Sequence, residues 1–153
     1  MRPVQRTSWL LLLVAAMLAP GGSSTAADSE TRPGPAYQII VNPANRVSSL
    51  GRGFVSNVYL KKVATWGNDW TVRPVQLSRR FPLREQFTRE ILKKSPSQLR
   101  SYWNRQIFSG KAVPPLEFES QEDVIRYVLA NKGAIGYVAA GANPRGAKIV
   151  KLE

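Results

Sequence analysis

Seven consecutive residues, Ser78-Arg79-Arg80-Phe81-Pro82-Leu83-Arg84, hold the best-motivated chemistry in this chain. Three guanidiniums and a hydroxyl can surround a phosphate- or carboxylate-sized anion, because arginine presents its N–H donors as a fork. The segment joins the end of a predicted strand to the start of a predicted helix, where free amides and a partial positive charge favour an anion. Phe81 has no side-chain oxygen to cap those amides, so they lack an obvious internal acceptor. Ser78, Arg80 and Arg84 are therefore the candidate ligand-binding residues. A competing reading stands level with it: Arg84 pairs with a nearby carboxylate while Phe81 and Leu83 cover the helix end.

Most catalytic chemistry is excluded by composition. The chain has no His and no Cys, which removes a histidine base, thiol catalysis and the usual zinc sites. Of the ten carboxylates, Glu85, Glu90, Glu122 and Asp123 fall at solvent-facing or capping positions of predicted helices. Glu117 and Glu119 alternate on an extended segment and could pair as acid and base, but ordinary exposed charges before a helix are the stronger reading. No Gly-rich phosphate loop is present. The expectation is a protein that is not an enzyme and that needs no metal or cofactor. Basic residues from Lys61 to Arg105 interleave with Trp66, Trp70, Tyr102 and Trp103, as in a stacking groove for nucleic acid. Packing explains those aromatics better, so nucleic acid is the weaker partner.

These residues need a scaffold, and the chain of 153 residues suits one domain. Arg2 and Arg6 precede an apolar run from Trp9 to Ala19, followed by Pro20-Gly21-Gly22 and small residues at Ser24 to Ala27. This is a secretory signal pattern over residues 1–27, with 28–36 as a spacer and 37–153 as the domain. With no cysteine for lipid attachment or disulfides, an exported, non-lipoprotein, periplasmic protein is expected, with no membrane span after cleavage. Removing residues 1–27 lowers the formal charge from +12 to +10. That positive balance favours anionic partners but also reads as a solvated basic surface.

Within 37–153, Tyr37 to Val41 is a strand candidate closed by Asn42-Pro43, and about Gly51 to Leu60 a short helix. Trp66 to Trp70 is a turn with two large anchors. Val72 to Leu77 is a second strand, where Pro74 argues for an edge or a strand start. Leu83, Phe87 and Ile91 line one face of a helix with Pro82 at its first position. Ser95-Pro96-Ser97-Gln98 is a capping box, followed by a stripe at Leu99, Trp103 and Ile107. Ser120 caps a further helix with Val124, Ile125, Val128 and Leu129 on one face. Asn131-Lys132-Gly133 ends that helix, Gly133 being able to turn left-handed, and Ala134 to Val138 is a buried strand. The order β-α-β-α-α-α-β, with Ala147 to Leu152 offering a final strand, predicts an α/β domain: a three-layer lobe with a mixed sheet.

Several of these segments occur together in a recognisable order. Ile40-Val41-Asn42-Pro43 leads to Ser49-Leu50, Val58-Tyr59-Leu60-Lys61-Lys62, Trp66, Val72-Arg73-Pro74-Val75 and Arg84-Glu85-Gln86-Phe87. Tyr102-Trp103, Phe108-Ser109-Gly110-Lys111, Pro114-Pro115, Tyr127-Val128 and Gly133-Ala134-Ile135-Gly136-Tyr137-Val138 follow. Over residues 37–140 the chain resembles one lobe of the type II periplasmic substrate-binding proteins of phosphate ABC transporters, and in particular the stand-alone, single-lobe members. The resemblance implies a phosphate-like oxyanion as ligand and a link to transporter-driven uptake. Since the family's ligand is closed between two lobes, it also implies a second copy or a partner protein completing the cleft. Where the family's loop carries Ser-Gly-Thr before Arg-Glu, this chain has Phe81-Pro82-Leu83, without hydroxyls and with no amide at Pro82. Ser78 and Arg84 keep matching positions. An envelope interaction module that kept the fold and lost the solute is the alternative.

Overall fold

Alternation along two central strands organises the molecule. In the computed structural model, which describes residues 35–153, β1 (Tyr37–Val41) and β5 (Ala134–Ala139) pair antiparallel with Ile39 opposite Tyr137 and Ile40 opposite Gly136. The expected signal peptide and nearly all of the expected spacer lie outside the described residues. Successive strand residues point to opposite faces. Tyr137 therefore meets Phe87 and Tyr59 on one side, with the Phe87 and Tyr137 rings stacked at 4.0 Å. Gly136 meets Val124 and Val128 on the other.

The remaining strands are β2 (Ser49–Leu50), β3 (Arg73–Leu77), β4 (Leu116–Phe118) and β6 (Lys148–Leu152). The six form one mixed sheet in the order β2-β6-β1-β5-β3-β4. β6 is antiparallel to β1, whereas β2 runs parallel to β6, and β3 runs parallel to both β5 and β4. Helices α1 (Arg52–Tyr59) and α2 (Pro82–Glu90) supply Tyr59 and Phe87 to one face, and α4 (Gln121–Ala130) covers the other. Helix α3 (Pro96–Phe108) packs against α2. The expected three-layer α/β lobe is the architecture observed.

Capping follows the sequence closely. Ser95 and Gln98 make the reciprocal capping box of α3, and Ser120 Oγ accepts the Asp123 amide at 3.0 Å. The far end of α4 is closed from a distance: Asn42 Nδ2 donates to the Val128 and Leu129 carbonyls, each at 2.9 Å. Asn131 adds a local bond to the Tyr127 carbonyl.

Several expectations are corrected. β2 and β4 were not anticipated as strands; two and three residues long, they exist only through pairing with distant partners. Pro74 sits near the start of β3, as expected, but β3 is interior, flanked by β5 and β4. Gly133 is not left-handed. It is small because a Cβ there would lie 2.0 Å from the Thr71 carbonyl oxygen, and its own carbonyl accepts Trp66 Nε1 at 3.0 Å. Leu129 lies at the exposed rim of the α4 face, and Ile107 is 50% exposed although Leu99 and Trp103 on the same stripe are buried. Glu90 is not simply solvent-facing, since it accepts the Tyr37 hydroxyl at 2.9 Å.

Candidate functional site

The loop from β3 to α2 is held tightly. The Ser78 amide extends the β3–β4 ladder by donating to the Phe118 carbonyl, and Phe81 N and Arg84 N donate back to Ser78 O and Phe81 O. Phe81 occupies the N-cap in an extended conformation without a side-chain cap, and Pro82 opens the helix. Both features agree with the sequence. Pro82 has no N–H, and the Phe81 and Arg84 amides are already bonded, so the expectation that the helix-start amides lack an internal acceptor is corrected.

Every candidate residue meets a carboxylate from the segment around β4. Ser78 Oγ donates to Glu119 Oε2 at 3.0 Å, and Arg80 Nε approaches the same oxygen at 2.8 Å. Arg80 Nη2 also donates to the Glu119 carbonyl at 3.0 Å, while its guanidinium lies 5.4 Å from the Phe81 ring centroid. Both side chains of this ion pair are largely exposed. Such exposed pairs contribute about 0–1 kcal/mol.

Arg84 goes elsewhere. It is 7% exposed, and its Nη2 lies 3.6 Å from Glu117 Oε1. Glu117 is steadied by Gln76, whose Nε2 reaches Glu117 Oε1 at 3.3 Å and the Pro115 carbonyl at 3.2 Å. Arg84 Nη1 has no hydrogen-bond partner among the described residues, and neither has the buried hydroxyl of Tyr137. Burial pushes the Tyr137 phenol well above its ordinary value, a shift opposed by the charge of Arg84. The Tyr59 phenol is raised by burial in the same way.

The three predicted residues are thus divided. Ser78 and Arg80 converge on one carboxylate oxygen, whereas Arg84 is a buried charge on a second carboxylate, as the competing reading of the sequence had it. Glu117 and Glu119 are what sequence reasoning undervalued. Their alternation was visible, but their role depends on parallel pairing of β4 with β3, in which Gln76 stands opposite Glu117. Among the described residues no cluster of three metal-ligating side chains occurs, and no helix is long and apolar enough to cross a membrane.

No family model and no curated protein matches the chain. Among solved structures, the fold matches one part of the substrate-binding proteins of phosphate ABC transporters. An ABC-type phosphate transport receptor from Vibrio cholerae aligns with a TM-score of 0.59 at 19% identity, covering 76% of this chain and 46% of the receptor. PstS from Borrelia burgdorferi aligns with a TM-score of 0.60 at 11% identity, covering 77% of this chain and 47% of that protein. The aligned part spans less than half the length of either, an extent that fits the single-lobe resemblance read from the sequence.

Proposed function

We propose that this chain is an exported, non-catalytic, solute-binding-protein-like module that takes a small oxyanion such as phosphate at the start of α2. The observation that carries this reading is the convergence of Ser78 and Arg80 on Glu119 Oε2, because that carboxylate is itself an oxyanion held by both donors. An incoming phosphate exchanges with Glu119, and the buried charge of Arg84 supports the anion from behind the loop. The basic n-region and apolar run before Pro20 support export to the periplasm. The likeness to one part of two phosphate receptors supports a role in phosphate uptake, with a second copy or a partner completing the cleft as the family resemblance implies.

The exchange has a measurable signature. Glu119→Gln removes the internal competitor while keeping its size, so phosphate affinity rises about tenfold, equivalent to about 1.4 kcal/mol. Arg80→Ala loses binding. Thermal unfolding with phosphate, sulfate and acetate at constant ionic strength reads both effects by mass action. No anion-specific rise in either the native protein or Glu119→Gln would sink this reading. One observation favours the envelope-interaction alternative: Phe108, Val113 and Leu116 are large apolar side chains left exposed around the α3–β4 connection.

A further inference from the structure

A cavity of about 370 Å³ lies between α2, α3 and the segment leading into β4. It is within the range of about 300–1,000 Å³ usual for small-molecule sites. Its walls are largely apolar, formed by Pro96, Leu99, Trp103, Ile107 and Pro114. This explains the α3 stripe: Leu99 and Trp103 are covered by the core, while Ile107 continues the same face out along the cavity wall and stays half-exposed.

The charged lining is unequal. Arg79, Arg84 and Arg100 line the cavity together with Glu85 and Glu117. Glu85 is taken by Arg89 at 2.7 Å, and Glu117 by Arg84. Among the described residues, Arg79 and Arg100 have no carboxylate within 4.0 Å. Arg84, more than nine-tenths buried beside this cavity, has its unpartnered Nη1 sealed from solvent and so adds charge rather than an open donor. An apolar chamber with surplus guanidinium charge and two resident carboxylates suits a monoanion carrying an apolar body. A bare phosphate dianion would leave the walls wet and meet more repulsion from Glu117.

We infer that this cavity is a second binding site, for a small organic acid with one carboxylate on an aromatic or branched aliphatic body. The apolar body lies against Trp103 and Ile107, and the carboxylate is held by Arg100 and Arg79, with Arg84 as fixed charge. The site uses neither Ser78 nor Arg80 and shares only the charge of Arg84 with the phosphate reading, so substitutions at Arg80 and Arg100 tell the two apart.

Phenylacetate and its neutral amide, phenylacetamide, are suitable probes, followed by amide chemical shifts of the full domain. Phenylacetate is expected to move the signals of Leu99, Trp103 and Asn104, with phenylacetamide binding at least tenfold more weakly. Arg100 and Ile107 are exposed enough for substitution without loss of the fold, which thermal unfolding verifies. Arg100→Glu is expected to weaken phenylacetate at least tenfold, Ile107→Glu to abolish binding, and Arg80→Ala to leave it unchanged. Equal binding of the amide, absence of shifts at α3, or shifts indifferent to Arg100→Glu and Ile107→Glu would each overturn the inference. Phosphate binding that responds to Arg80→Ala, without phenylacetate binding, would leave the α2 reading intact and remove this one.

Discussion

The unit of α4 and β5 and the loop between β3 and α2 are both short, contiguous and rich in signals, yet they are built in opposite ways. In the first, Ser120 caps an amide three residues on, the charges of the first turn lie beside it, and Gly136 lets helix and strand close together. In the second, the decisive partners come from far along the chain: Ser78 and Arg80 bond to Glu119, 41 and 39 positions away. A local device is legible from spacing. A charge whose partner arrives through sheet pairing is not.

The largest expected effect is at high pH. Tyr59 and Tyr137 keep their protons in the fold beyond the ordinary phenol value of about 10, so the unfolded chain binds fewer protons there. Their contribution to stability is complete below about pH 10 and falls above it, by up to about 1.4 kcal/mol per pH unit for each phenol. Tyr137→Phe should flatten the alkaline slope by one proton, as urea midpoints measured across pH will reveal. An unchanged slope would mean that the stacked face of β5 opens to water.

Gly133→Ala comes next. Its added Cβ would overlap a backbone carbonyl rather than a movable side chain, so a loss of about 3 kcal/mol in urea denaturation is expected. A small loss would show that the α4–β5 junction is looser than its geometry. Ser120→Ala should cost about 1 kcal/mol, the usual worth of a cap. At the other region, Arg80→Ala should change stability by less than about 0.5 kcal/mol, because its ion pair is exposed. A larger loss there would remove the contrast, making the Glu119 pair structural rather than exchangeable.

Much of the scaffold was readable because its signals are periodic or capped. β1, β5, α2, α3 and α4 fall close to where alternation, proline placement and capping put them. β2 and β4 were not readable, since so few residues carry no periodicity and their strand state is decided by neighbours. Ile107 misled because helical spacing specifies a shared face but not whether that face is covered along its whole length. At the site, the uncapped start of α2 followed from Phe81 and Pro82 themselves. The division of Ser78 and Arg80 from Arg84 required knowing that β4 lies beside β3.

Asn42 gives the α4–β5 unit a property that its local signals conceal. Its amide serves two terminal carbonyls of α4 from 86 and 87 residues away. Asn131 serves the Tyr127 and Val128 carbonyls locally, but the Leu129 carbonyl is bonded only when the end of β1 has arrived. Closing so long a loop costs entropy that a helix end cannot recover alone. The contact raises the contact order of an otherwise local unit and couples the fraying of α4 to docking of the central strand. A segment from Ser120 to Val138 cut from the chain would keep its start signal and only the local, Asn131 part of its stop.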